Sequence, residues 1–102
     1  LMVPGTGRKK RRSEPDGELN VRGRTVEEAR SDLGHFLEEA ASRGWSRLKV
    51  IHGKGIQSPG GHSVVREAVT RDLERARQAG RIQDFRLGNL GEGGAGVTII
   101  WR

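Results

Sequence analysis

Two long stretches of apolar residues at helical spacing, each closed by a glycine and set between short strand-like runs, constrain this chain more than any other feature. In the first stretch, Val26, Ala29, Leu33, Phe36, Leu37 and Ala40 recur on one face at the helical period. Thr25-Val26-Glu27-Glu28 before it is a capping box, in which the threonine side chain accepts from a first-turn amide while the glutamate reaches back. Gly44 is a natural stop. In the second stretch Val65, Val69, Leu73 and Ala76 share a face, with Ser63 as cap and Gly80 as terminator. Strand-like alternation or short apolar runs occupy Glu18–Arg22, Leu48–Ile51, Ile82–Leu87 and Val97–Trp101, the last with Val97, Ile99 and Trp101 on one side.

The order predicted is β-α-β-α-β-β. Strand–helix–strand units make parallel pairs through right-handed crossovers, and two helices can cover one face of four strands. The expected fold class is therefore α/β (α+β), a two-layer sandwich with a mixed four-stranded sheet and both helices on one face. Turns that follow parallel strands gather at one sheet edge, where ligands commonly bind. Here those turns are Arg22-Gly23-Arg24 and His52-Gly53-Lys54-Gly55.

Of the 102 residues, 1–18 read as a disordered basic linker and 19–102 as the folded domain. The linker surrounds Arg8, Lys9, Lys10, Arg11 and Arg12 with glycine and proline; five cations against Glu14, Asp16 and Glu18 leave it at +2, and the rest of the +6 total lies on the domain. An excess of cations favours polyanions, nucleic acid first among them, through salt-dependent contacts. The basic run is either a solvated tail or an arm adding phosphate contacts. No apolar run approaches the roughly 18 residues of a spanning helix, so no membrane partner is expected. The absence of cysteine removes disulfides, thiolate zinc sites and a cysteine nucleophile. No secretory signal is present, a cytoplasmic location is expected, and a start at Leu1 reads as part of a longer protein.

Lys49-Val50-Ile51-His52-Gly53-Lys54-Gly55 carries the most chemistry. A strand runs into glycines that permit positive φ and close backbone approach to a phosphate. Lys54 supplies a point charge and His52 an acid or base near neutral pH. The alternative is a tight turn with an exposed lysine and a satisfied histidine. The segment matches neither the P-loop nor the G-x-G-x-x-G pattern, so nucleotide binding is not expected. Gly93, Gly94 and Gly96 lead into the last strand, as a hairpin needing positive φ or as amides touching phosphate. His35 and His62 lack partners at metal spacing, and no metal ligands are assigned. Asp32, Asp72 and Glu38–Glu39 read as solvated helix faces. Trp45 and Trp101 read as packing residues. Arg66, Arg71, Arg75 and Arg77, interleaved with Glu67, Asp72 and Glu74, read as a salt-bridged surface.

Leu19-Asn20-Val21-Arg22-Gly23, a threonine-capped helix, Val50-Ile51-His52-Gly53-Lys54-Gly55, Val65-Arg66-Glu67-Ala68-Val69 and Gly93-Gly94-Ala95-Gly96-Val97-Thr98, in this order, resemble the Smr (small MutS-related) domain over 19–102. Arg22 at the fourth position of the first motif resembles the branch found at the C-terminus of bacterial MutS-like ATPases of the second type. The resemblance implies the C-terminal fold of translation initiation factor three. It implies binding of DNA or RNA, nicking of phosphodiester bonds in recombination control or stalled-ribosome handling, and parent ATPase domains outside this chain, with the ribosome as a further partner. It places function on Asn20, Arg22, Gly23, His52, Gly53, Lys54 and Gly55. His52, Lys54, Arg22 and Asn20 are the catalytic candidates; Arg24, Gly53, Gly55, Gly93, Gly94, Gly96 and the basic run are the binding candidates. No cofactor is expected to be held tightly, with Mg²⁺ or Mn²⁺ as an option for cleavage. One departure bears on catalysis. The family's first motif usually has Asp where this chain has Asn20, and a neutral amide serves poorly as base or metal ligand. The alternative function is a non-catalytic DNA- or rRNA-binding module.

Overall fold

The computed structural model describes residues 14–53 and 64–102. The basic run Arg8–Arg12, Lys54, Gly55, His62 and Ser63 lie outside the described residues. The elements are β1 (Gly17–Asn20), α1 (Val26–Arg43), β2 (Arg47–Ile51), α2 (Val64–Gln78), β3 (Asp84–Leu87) and β4 (Val97–Trp101), with two short 3₁₀ turns, Leu90–Glu92 and Gly94–Gly96, before β4. The strands form one mixed sheet ordered β1-β2-β4-β3. β1 pairs parallel with β2, and β4 pairs antiparallel with both β2 and β3. Both crossovers step the same way across this order, so right-handedness puts α1 and α2 on the same face. This is the α+β two-layer architecture expected.

Helix α1 forms where its local chemistry says it should. The Thr25 hydroxyl accepts from the Glu28 amide at 3.1 Å and the Glu28 carboxylate accepts from the Thr25 amide at 3.0 Å. Gly44 closes it in the left-handed conformation at φ 71°. Arg102 reaches the same end, donating to Ala40 O at 3.0 Å and Trp45 O at 2.6 Å. Leu33, Leu37 and Ala40 of α1 and Val69, Leu73 and Ala76 of α2 meet Leu48, Val50 and Ile100 of the sheet in one buried cluster. Each large aliphatic chain buried there contributes about 1.5–3 kcal/mol before entropy is counted. Arg30 of α1 also donates to Asp72 of α2 at 2.9 Å.

Two strand expectations are corrected. β1 spans Gly17–Asn20 rather than Glu18–Arg22, because the chain turns after Val21, whose amide makes the last bond to Ile51 O. Order also begins before Leu19: Asp16 accepts from the amides of Ser46 and Arg47, and Gly17 lies so close to the Trp45 ring that a β-carbon would sit 2.4 Å from it. β3 is shorter than Ile82–Leu87; Ile82 is buried, but pairing regular enough for a strand starts at Asp84. β2 and β3 do not touch, because β4 lies between them.

Val97, Ile99 and Trp101 do share a side, but it is the face away from the helices, opposite Ile100. That face is closed by a charged lattice. The Arg47 and Arg86 guanidinium carbons lie 5.3 and 5.2 Å from the Trp101 ring centroid, within cation–π range. Glu92 ties the two cations together: its carboxylate accepts from both terminal nitrogens of Arg86 (2.8 and 3.1 Å), from Arg47 Nη2 (2.8 Å) and from the Asn89 amide (2.9 Å). Arg86, the Asn89 amide and Arg47 hold the Glu92 carboxyl down at about 2. A carboxyl depressed on folding stabilises fully above its ordinary value near 4.5, and that contribution is lost as pH falls through about 2. Glu92→Gln is expected to cost about 1–3 kcal/mol at neutral pH and to flatten the acid limb of the melting-temperature profile in that window. An acid limb identical to that of the parent chain would remove Glu92 from this role.

Candidate functional site

Parallel pairing of β1 with β2 puts their ends level, Asn20 beside Ile51. The turn after β1 is shaped by Asn20 and Gly23. The Asn20 Oδ1 accepts from the Arg22 amide at 3.0 Å, the Arg24 amide donates to Val21 O at 3.1 Å, and Gly23 takes φ 79°. The turn after β2 is gripped by the residue just before β4. Gly96 O accepts from the His52 amide at 3.0 Å and from the Gly53 amide at 2.9 Å, and Gly53 takes φ 83°. The two turns touch: a β-carbon on Gly53 would stand 3.4 Å from Arg22 Cγ. The glycine therefore leaves room for the Arg22 stem to cross it, as a side-by-side arrangement of the turns requires.

His52 is only 4% exposed. Its Nδ1 lies 2.9 Å from Gly53 O, and a carbonyl can only accept, so Nδ1 carries the hydrogen. Its Nε2 lies 2.8 Å from the hydroxyl of Thr98, itself 2% exposed, and in the neutral ring that nitrogen accepts. Burial pushes the imidazole below its ordinary value, the Gly53 carbonyl opposes this, and the positive charge of Arg66 adds to the fall. The geometry is that of the satisfied histidine: a neutral ring fastening the end of β2 to β4. For His52 to take or give a proton to a substrate, Nε2 has to exchange Thr98 for it.

The remaining candidates divide cleanly. Arg22 is exposed and its guanidinium has no carboxylate partner among the described residues. Arg24 is instead committed to α1, with Nε 3.0 Å from Asp32 Oδ2 and Nη1 3.9 Å from Glu28. Gly93 and Gly94 take positive φ, as a hairpin demands, but the Gly94 amide is used within the loop, donating to Asn89 O at 2.7 Å. Gly96 is buried and acts through its carbonyl on the His52 turn. Lys54 and Gly55 lie outside the described residues. Sequence reasoning missed Thr98 as a site residue; its signal was a lone hydroxyl inside the apolar run Val97–Trp101. The α2 surface is ion-paired as expected, through Arg75 with Asp72 and Arg77 with Glu74. Among the described residues no three His, Cys, Asp or Glu side chains gather. No helix there is long and apolar enough to cross a membrane.

Residues 19–102 match the family model described as the Smr domain. The chain is 40% identical over 82 residues to "Endonuclease MutS2" of Symbiobacterium thermophilum, covering 80% of this chain and 9% of that protein. It is similar in structure to the Smr domain of Thermus thermophilus MutS2, with a TM-score of 0.71 at 36% identity over 83% of this chain and 95% of that one. It is also similar to YdaL, a stand-alone small MutS-related protein from Escherichia coli, with a TM-score of 0.68 at 26% identity over 82% and 62% of the two chains. The chain thus spans about a tenth of the length of the MutS2 relatives it matches.

The His52 geometry makes a spectroscopic prediction. At neutral pH the ring is expected in the neutral form protonated at Nδ1, with a titration midpoint below the ordinary 6.5 of histidine. Because folding lowers this value, the associated stability is complete above about pH 6.5 and declines as pH falls toward the folded midpoint. Thr98→Val is expected to destabilise by about 1–3 kcal/mol and to perturb both ring nitrogen shifts. A ring that titrates at or above the ordinary value would contradict the buried tie.

Proposed function

Given that the chain belongs to the Smr domain family, we propose that it is a nucleic-acid-binding domain that grips the phosphate backbone of DNA or RNA at the edge formed by the Arg22-Gly23-Arg24 and His52-Gly53 turns. The observation that carries this reading is Arg22. Its guanidinium is exposed and has no carboxylate partner among the described residues, and its stem lies against the Gly53 backbone, so a planar fork of donors is held at the sheet edge. Lys54, next along the chain from Gly53, adds a second cation. The Arg8–Arg12 run adds sequence-independent phosphate contacts whose strength falls with salt. The domain serves a longer, cytoplasmic MutS-like parent as its hold on DNA or ribosomal RNA.

Cleavage at this edge is the second reading, favoured by the name endonuclease carried by the MutS2 relatives. In it Arg22 and Lys54 stabilise negative charge on the phosphorane. His52 serves as acid or base after releasing Thr98, and Asn20 orients water in place of the family's carboxylate. The binding reading stands first because His52 and Asn20 are both already engaged in holding their turns.

Anisotropy titrations with duplex DNA and an RNA hairpin across a salt series separate the contributions. Arg22→Ala and Lys54→Ala are each expected to cost about 1 kcal/mol or more and to reduce the salt slope by about one, whereas Arg24→Ala, already ion-paired, costs less. Unchanged affinity in folded Arg22→Ala would overturn the assignment. Supercoiled plasmid with Mg²⁺, Mn²⁺ or chelator, beside His52→Ala, tests cleavage: open circle from the parent chain alone promotes the second reading, and open circle from neither discards it for this substrate.

A further inference from the structure

Helix α2 brings a further cation to the turn after β2. β2 and β3 point the same way, since both pair antiparallel with β4. α2 therefore runs back between them, and its first turn lies at the end of the sheet where β2 finishes. Arg66 is in that turn. Three and seven residues on come Val69 and Leu73, both fully buried, so Arg66 stands at the margin of the stripe that α2 packs against the sheet. It is accordingly half-buried, whereas Arg71, Arg75 and Arg77 of the same helix are exposed.

Two observations locate its charge. The positive charge of Arg66 acts on the buried His52 ring and helps to keep that ring neutral. Coulombic influence falls with distance, so the guanidinium lies near this turn. From the other flank the Arg22 stem crosses Gly53, where a β-carbon would stand 3.4 Å from Arg22 Cγ. Two cations from separate elements, the turn after β1 and the start of α2, thus bracket two consecutive residues whose Cα atoms are about 3.8 Å apart. An anion seated between them is attracted by both, and more strongly for the partial burial of Arg66, where less water screens the charge. A phosphodiester has two non-bridging oxygens, one for each guanidinium fork.

We infer that Arg66 is a phosphate-binding residue of this site, and that it and Arg22 close from opposite sides on one phosphodiester group seated over the His52-Gly53 turn. This rests on the reading of the edge as a nucleic-acid grip and adds a register to it. A phosphate held by two forks fixes where the strand sits, as a single cation does not.

A double-mutant cycle read by anisotropy with the duplex DNA and the RNA hairpin tests it. Arg66→Gln is expected to weaken binding about tenfold and to lower the salt slope by about one. Arg66→Lys, which keeps the charge but not the fork, is expected to lose about threefold. Because the two arginines share one phosphate, the double variant Arg22→Ala with Arg66→Gln is expected to lose less than the product of the two single losses. Amide spectra check the fold of each variant; if Arg66→Gln disturbs α2, Arg66→Lys takes its place in the cycle. Full affinity in the folded Arg66 variant while Arg22→Ala is weakened overturns the inference and leaves the edge reading standing. A loss with an unchanged salt slope, or losses that simply multiply, also overturns it, by making Arg66 a structural residue or the holder of a different phosphate. No loss from Arg22→Ala overturns the inference and the edge reading together.

Discussion

One carbonyl oxygen, that of Gly96, accepts the amides of both His52 and Gly53, and the geometry of the candidate edge follows from it. The forked bond ends β2 at Ile51, turns the chain through the positive φ of Gly53, and brings the His52 ring down to Thr98. With Gly53 in that pose its bare Cα faces the neighbouring turn, where the Arg22 stem lies across it. A side chain at Gly53 would have to adopt a left-handed conformation and also displace Arg22. The two turns are therefore coupled through one strand, β4, which lends its first residues to the site and its later ones to the core.

Cations in this molecule fall into those spent on the fold and those left over. Arg47 and Arg86 enclose Trp101 and share Glu92; Arg102 binds backbone carbonyls at the end of α1; Arg24 and Arg30 bind carboxylates of the helices. Most of these pairs are exposed, and exposed pairs contribute little each. Glu92 is the exception, with its side chain only 11% exposed and four donors converging on it. Among the described residues, Arg22 at the turn after β1, Lys49 on β2, Arg71 on α2 and Arg81 after it are left without a carboxylate partner.

Local chemistry made the helices legible in the sequence. Thr25, Glu28 and Gly44 lie within reach of the backbone groups they satisfy, so α1 could be bounded from its own residues. The strands were less so. Val97, Ile99 and Trp101 alternate correctly, but alternation does not say which face meets the helices, nor that β4 separates β2 from β3. At the site, His52 and Arg22 stood out by type and spacing, and the adjacency of their turns followed from parallel strands. The state of His52 did not, because its partner Thr98 is 46 positions away. Arg24 offered the same positive charge as Arg22 on paper; only the position of Asp32, two helical turns on, distinguishes them.

One of the two central strands of the sheet, β4, is the last element along the chain. β2 and β3 meet only through β4, and Arg102 just beyond it donates to the C-terminal end of α1 at Ala40 O. Until residues 97–102 are present, a growing chain has two helices, an unclosed pair of strands with one bare edge, and no partner for the Nε2 of His52. Topologies weighted toward distant contacts close slowly because the loop entropy comes before the reward. For this domain the site and the core are therefore completed by the same segment, the one furthest along the chain.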